Sequence, residues 1–195
     1  MMSFDLVTGN NSYDDFSINR IELSQRLKTS VDYTNDLIEK CEQRLSKVLN
    51  CKYSCVKVPV DLTVENYVNL GFTTVRSKDL YKNLTGCKEA YVFAVTIGLE
   101  VDRLINRLKI TSLSEHFITD SLASAIVESY CDYVNQLILN GKKSKPRFSC
   151  GYGDFPLEYQ AEILNVLSAD KTLGVFLNKS LLMTPTKTIT AIMGV

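Results

Sequence analysis

The chain has 195 residues, enough for one domain with a sizeable core, and its 45% apolar and 23% charged residues are ordinary for a folded soluble protein. Lysine plus arginine and aspartate plus glutamate both number 22, so the chain lacks the positive charge typical of duplex-binding proteins. Its apolar runs are shorter than a bilayer span, and its N-terminus lacks the basic start and apolar run of a secretory signal. We therefore expect a cytoplasmic protein that binds neither nucleic acid nor membrane.

The first quarter of the chain predicts a tail followed by a helix. Residues 1–16 are polar and rich in Asn, Asp and Ser, which predicts a loose or extended N-terminal tail. A single domain is expected over residues 17–195, because no repeat, linker or low-complexity segment divides it. Apolar residues recur at helical spacing over residues 30–50, where Ser30 or Thr34 would supply the N-cap oxygen.

The next segments predict two strands, a short helix and a central strand. Residues 55–60 alternate valine with other residues like a half-buried strand, and Pro59 favours a sheet edge or strand end because it lacks an amide donor. A short strand is expected over residues 72–76 and a short helix from Ser77. The continuous apolar run of residues 90–97 predicts a strand that is covered on both faces.

The second half of the chain predicts mainly helices. An amphipathic helix follows Gly98, with its apolar stripe on Val101, Leu104, Ile105 and Leu108. The longest helix is expected over residues 114–139, followed by an exposed basic loop over residues 142–146. A helix opened by Asp154 and Pro156 should run to about residue 168, and residues 188–193 alternate as a strand.

Six cysteines are present, but their spacing does not predict a metal site or a disulfide framework. In a cytosolic chain we expect them to be buried apolar residues or free thiols. The only histidine, His116, is more readily explained as a surface or half-buried helical residue than as a ligand. The cysteines are Cys41, Cys51, Cys55, Cys87, Cys131 and Cys150.

One segment carries recognisable chemistry: Arg147-Phe-Ser-Cys-Gly-Tyr-Gly-Asp-Phe-Pro156. An arginine can grip a carboxylate through two parallel hydrogen bonds. Gly151 and Gly153 permit backbone angles that other residues avoid, so main-chain groups of residues 149–151 could contact a ligand. Tyr152 offers an aromatic face and a hydroxyl. The alternative is an ordinary turn with an aspartate cap before a helix that begins with proline.

Two segments resemble the signature of the activation domain of cobalamin-dependent methionine synthase. The run Arg147-x-x-x-Gly-Tyr152 is similar to the one that holds S-adenosylmethionine in that family. Leu177-Asn-Lys-Ser-Leu-Leu-Met-Thr-Pro185 is similar to a later Leu-Thr-x-Ser-x-x-Met-x-Pro segment. Residues 86–103 also resemble small stand-alone members, so the likeness covers about residues 75–195. It implies an α+β fold in which a mixed or antiparallel sheet packs with long helices.

The resemblance also implies a set of ligand-binding residues, with no catalytic residue and no metal ligand among them. Arg147 would bind the carboxylate, residues 149–151 would make main-chain contacts, and Tyr152 would face the ligand or the corrin. The acidic Glu128 on the long helix would suit the ammonium group, although helix alignment places Ser124 where the fused enzymes carry their glutamate. The implied cofactor-binding set is Arg147, Ser149, Cys150, Gly151, Tyr152 and Glu128.

Two of these assignments have a plain structural alternative. Glu128 is equally compatible with a solvated helix face or with a partner for Arg103 or Arg107. In the second segment, three polar residues are expected at the surface and three apolar residues in the core, so that segment is evidence for the fold rather than for a site. These residues are Lys179, Ser180 and Thr184, and Leu181, Leu182 and Met183.

The resemblance implies an accessory role in a methyltransferase system rather than a complete enzyme. The chain would bind S-adenosylmethionine and support reductive methylation of a corrinoid-binding methionine synthase or methyltransferase. That partner would carry the cobalamin, and a flavodoxin-like protein would donate the electron. The sequence of this chain itself shows no corrinoid-binding Asp-x-His-x-x-Gly pattern.

Departures from the family pattern favour a second hypothesis. Cys150 replaces the usual proline, and Gly153-Asp-Phe replaces Pro-Ala-Cys. An acidic contact and a C-terminal tyrosine of the large enzymes have no clear equivalent. The chain would then be a non-catalytic module that docks to a corrinoid protein without productive S-adenosylmethionine binding. A third hypothesis is an unrelated α+β interaction protein.

Overall fold

The computed structural model describes residues 4–27 and 35–195. Within them the strands are β1 Leu6–Asn11, β2 Cys51–Pro59, β3 Tyr67–Asn69, β4 Thr74–Arg76, β5 Glu89–Thr96, β6 Phe176–Leu177, β7 Met183–Thr184 and β8 Thr188–Gly194. The α-helices are α1 Arg20–Leu27, α2 Asn35–Ser46, α3 Lys78–Leu84, α4 Leu99–Thr111, α5 Leu113–Leu139, α6 Gln160–Val166 and α7 Ala169–Thr172. Ser30 and Thr34, the predicted N-cap candidates, lie outside the described residues.

An antiparallel sheet with the strand order β1-β2-β5-β8 forms the centre of the fold. The apolar run of β5 lies inside this sheet, and its alternate side chains face two separate cores. Phe93 and Val95 pack towards α1, α2, α4 and α5, whereas Val92 and Ala94 pack towards α3, α6 and α7. The predicted α+β fold and the central strand covered on both faces are therefore confirmed.

The N-terminal segment contains a paired strand, so the predicted tail is extended here rather than loose. Strand β1 pairs with β2 in register from Leu6 opposite Val56 to Asn11 opposite Cys51. Its side chains are mostly exposed, so its polar composition is that of a sheet edge. Composition alone did not reveal the strand because its hydrogen-bonding partner lies 40–50 residues further along the chain.

Helix α5 confirms the predicted longest helix and supports the sheet along one face. Ser112 accepts a hydrogen bond from the amide of Glu115 and so caps its N-terminus, while Asn140 adopts a left-handed conformation at the C-terminus. The predicted helix after Gly98 is also confirmed as α4, and its four stripe residues are buried. Among the described helices, none is both long and apolar enough to cross a membrane.

Asp154 caps a helix other than the one predicted. Its carboxylate accepts hydrogen bonds from the Ser77 hydroxyl and from the amides of Lys78 and Asp79, at the start of α3. These amides are the free donors of a helix N-terminus, and they attract a carboxylate. The loop that carries the Arg147 motif is thereby fastened to an element some 75 residues earlier in the chain.

Candidate ligand-binding cleft

The Arg147 segment is held against the free edge of β8. Phe148 exchanges two main-chain hydrogen bonds with Ile192, of 2.9 and 2.8 Å, and the amide of Lys145 donates to the carbonyl of Gly194. The Ser149 hydroxyl donates to the carbonyl of Thr190 at 2.7 Å. These contacts give residues 147–149 a fixed position beside the sheet, although only one isolated bridge is formed.

A tight turn follows this bridge, and its geometry explains both glycines. Gly151 has φ +85° and Gly153 has φ +54°, in the left-handed region that other residues rarely adopt. A Cβ on Gly153 would also clash with a carboxylate oxygen of Asp79. The Gly151 amide donates to the carbonyl of Phe155, and the Tyr152 amide donates to that of Ser149. The turn thus consumes main-chain groups that the sequence suggested would be free for a ligand.

A cleft of about 710 Å³ opens between this segment, α5 and the chain that precedes β8. Five of the six predicted binding residues line it, and the sixth, Gly151, shapes the turn between them. The remaining lining comes from Phe148 and Leu157, from residues before and within β8, and from the start of α6. The full lining is Glu128, Arg147, Phe148, Ser149, Cys150, Tyr152, Leu157, Gln160, Leu181, Leu182, Met183, Thr186, Thr188, Ile189 and Thr190.

The Arg147 guanidinium lies at the α5 side of the cleft, between two carboxylates. One terminal nitrogen, Nη2, is 3.1 Å from Asp132 and 3.4 Å from Glu128. The other, Nη1, is buried and has no hydrogen-bond partner among the described residues. The Arg147 cation borders the cleft. To bind a ligand carboxylate through two parallel hydrogen bonds, its guanidinium would have to give up its contacts with Asp132 and Glu128.

Glu128 is the acidic member of the cleft, and its pairing partner is Arg147 rather than Arg103 or Arg107. Burial raises the pKa of the Glu128 carboxyl, and the nearby Arg147 opposes this increase. Ser124, one turn earlier on α5, accepts a hydrogen bond from the ammonium of Lys187 at 2.9 Å. Of these two α5 positions, only that of Glu128 lines the cleft.

Cys150 and Tyr152 differ in how far they are buried in the cleft. Cys150 is buried, and burial raises the pKa of its thiol to about 12, so the sulfur is a neutral thiol near pH 7. Tyr152 is 68% exposed and stands at the mouth of the cleft, where its ring is open to a partner or a ligand. His116 is half-buried on α5, away from the cleft lining, and one of its ring nitrogens lies 3.1 Å from the carbonyl oxygen of Ile105.

Residues that sequence reasoning assigned to the core form one wall of the cleft. Leu181 and Met183 are half-buried and Leu182 is 61% exposed, which corrects the prediction that all three are core. The loop between β6 and β7 is shaped by the Asn178 side chain, whose oxygen accepts from the amides of Ser180 and Leu182. This hairpin holds apolar side chains over the cleft instead of burying them.

Three polar residues on the cleft floor were missed. Gln160, Thr188 and Thr190 are buried, at 3–7% exposure, yet they line the cleft. The sequence signal available was the alternation of threonine in residues 188–192, which places two hydroxyl side chains on one face of a strand. Gln160 gave no such signal. Within residues 4–27 and 35–195 no cluster of three or more potential metal ligands is present.

Similarity to known proteins is found in the structure of the chain rather than in its sequence. The sequence matches no family model and no curated protein. The structure matches a solved structure described as the MetH reactivation domain bound to AdoHcy, with a TM-score of 0.76 over 98% of this chain and 78% of that chain.

The chain has the fold of the MetH reactivation domain. At 15% identity the likeness shows the fold alone, and it confirms the fold that the two sequence segments implied. It also extends beyond residues 75–195, because a match over 98% of the chain includes most of the first 70 residues.

Proposed function

We propose that the cleft binds S-adenosylmethionine and that the chain is an accessory protein for the reductive reactivation of a cobalamin-dependent methionine synthase or a related corrinoid protein. One observation carries the proposal. The Arg147–Tyr152 segment lines a cleft at the sheet edge in a fold shared with a reactivation domain whose solved structure binds AdoHcy, the demethylated form of that ligand.

The dimensions and charges of the cleft suit this ligand. Its volume of about 710 Å³ falls within the roughly 300–1,000 Å³ of small-molecule sites. A cation and an acid stand together at the α5 side, as a ligand carrying both a carboxylate and an ammonium requires. The rest of the ligand would contact the apolar side chains of Leu181 and Met183 and the polar floor around Gln160.

The contribution of the chain in this role is positioning. S-adenosylmethionine would supply the methyl group, and the partner's cobalamin would accept it together with one electron from a flavodoxin-like donor. Arg147 and Glu128 would fix the amino-acid end of the ligand at the α5 side of the cleft. Tyr152 stands exposed at the cleft mouth, where its ring would contact the docked partner.

Calorimetry with S-adenosylmethionine and AdoHcy tests the binding step. Arg147→Ala should lose about 2–4 kcal/mol of binding free energy, because it removes a charge-assisted contact. Arg103→Ala is the matched control, since Arg103 is exposed and pairs only with Glu100 on α4 among the described residues. Unchanged affinity in a folded Arg147→Ala protein would move the carboxylate site elsewhere.

A reconstituted reaction tests the reactivation step. The chain should accelerate methylation of a corrinoid protein supplied with a reductant and S-adenosylmethionine, followed by the visible absorbance of the corrinoid. Tyr152→Ala should slow this conversion more than it weakens S-adenosylmethionine binding, because the ring is exposed at the mouth. If the chain binds the ligand but accelerates no corrinoid protein, the reactivation role is wrong.

A second candidate function is a docking module that binds a corrinoid protein without productive S-adenosylmethionine binding. The engagement of Arg147 by Asp132 and Glu128 favours it, because both carboxylates compete with that of a ligand. Under this alternative the chain would bind the corrinoid protein in pull-down or calorimetry, whereas AdoHcy would give no heat of binding and no rise in melting temperature.

A further inference from the structure

Gln160 occupies an unusual position on the floor of the cleft. The residue begins helix α6 and is only 3% exposed, yet it lines the cleft. The side-chain oxygen accepts a hydrogen bond from the Thr190 hydroxyl at 3.0 Å. With the side-chain oxygen turned towards Thr190, the amide nitrogen points towards Met183, which lines the cleft.

The amide nitrogen of Gln160 is left with a weak partner. Among the described residues it contacts the sulfur of Met183 at 3.6 Å, and a thioether is a poor acceptor. An amide nitrogen carries two hydrogens, and among the described residues no oxygen or nitrogen accepts from either. Buried donors of this kind are nearly always satisfied, so a stronger acceptor is expected to enter the cleft.

The surroundings of that donor indicate a neutral acceptor. Among the described residues, the charged side chains that line the cleft, Arg147 and Glu128, lie at its α5 side and pair with one another. Gln160 instead bonds to Thr190, whose side chain lies on the opposite face of the sheet from α5. A carboxylate is better satisfied by Arg147, whereas a neutral amide suits an uncharged heterocycle edge.

The main chain of β8 adds polar groups beside Gln160. Ile192 and Gly194 direct their polar groups away from β5, as their bonds to Phe148 and Lys145 show. Because this direction repeats every second residue, the amide of Thr190 and both main-chain groups of Thr188 also point to the free edge. A flat heterocycle at this edge would meet donors and acceptors together.

We propose that Gln160 is a specificity-determining residue that donates a hydrogen bond from Nε2 to a ring nitrogen of the purine base of the ligand. The inference rests on the proposed function, since it assigns the base of S-adenosylmethionine to the Gln160 end of the cleft. The neighbouring apolar side chains of Leu157 and Met183 then pack against the base.

The test uses AdoHcy and its 1-deaza, 3-deaza and 7-deaza adenine analogues, in each of which one ring nitrogen is replaced by C–H. Wild-type protein should bind one analogue about threefold to tenfold more weakly than AdoHcy, the cost of one neutral hydrogen bond. Gln160→Met should lose this discrimination. Gln43→Met, at an exposed position on α2, should retain it.

The outcomes separate the two proposals. Equal binding of AdoHcy and all three analogues by the wild type, or retained discrimination in Gln160→Met, would refute the role of Gln160 while the cleft proposal stands. Failure of AdoHcy to bind at all would overturn both. If Gln160→Met does not fold, Gln160→Met with Thr190→Val removes both hydrogen-bonding partners and avoids leaving a buried hydroxyl unpaired.

Discussion

Asp132→Asn should strengthen ligand binding, because Asp132 competes for the cation that the ligand carboxylate needs. The Asp132 carboxylate lies 3.1 Å from Nη2 of Arg147, and the two side chains are 61% and 28% exposed. Such a partly solvated ion pair contributes about 0.2–1 kcal/mol, and a ligand carboxylate must forfeit that energy when it displaces Asp132. Its removal should therefore raise the affinity for AdoHcy by up to about fivefold.

Calorimetry at constant ionic strength measures this change. Asp170→Asn on the exposed surface of α7 is the control and should leave the affinity unchanged. Glu128→Gln should act in the opposite direction and weaken binding about tenfold, because Glu128 is assigned to the ligand ammonium. If Asp132→Asn weakens binding instead, Asp132 contacts the ligand itself and the reasoning about competition is wrong.

Three further predictions concern the turn and its attachment. Gly151→Val should abolish AdoHcy binding in calorimetry and lower the free energy of unfolding by about 1–3 kcal/mol, because φ is +85°. Hydrogen bonds from the Ser77 hydroxyl and the α3 amides lower the pKa of Asp154, so its stabilisation is present above the unfolded pKa and is lost as pH falls through the folded value. Asp154→Asn should accordingly lower the melting temperature at pH 7, and the difference from wild type should shrink below about pH 4. In the native protein, burial should make Cys150 react with a thiol reagent far more slowly than the half-buried Cys87, as mass spectrometry of labelled peptides would show.

Patterns within a single element predicted much of the fold. The continuous apolar run of β5 and the helical stripes of α4 and α5 each report burial along their own segment, and the structure confirms them. Strand β1 was missed because a polar edge strand is defined by its partner, not by its own composition.

The candidate site was likewise predicted only in part from the sequence. The Arg147–Tyr152 segment was found because its chemistry is contiguous in sequence, and the structure brings Glu128 to it from α5. The cleft wall at Leu182 and the floor at Gln160 depend on how hairpin and helix pack on β8, which residue spacing does not encode. Asp154 was assigned to the wrong helix for the same reason, because its partners lie some 75 residues away.

The location of the ligand tests the central claim most directly. Amide chemical shifts of isotope-labelled protein, titrated with AdoHcy, should change mainly in residues 147–153 and 181–190, with a further group around Glu128 and Gln160. A second, smaller cavity is lined by residues that include Tyr13, Ser46 and Cys51. Chemical-shift changes confined to that cavity would place the ligand there and contradict the account. A spectrum that does not change at saturating AdoHcy would contradict it equally.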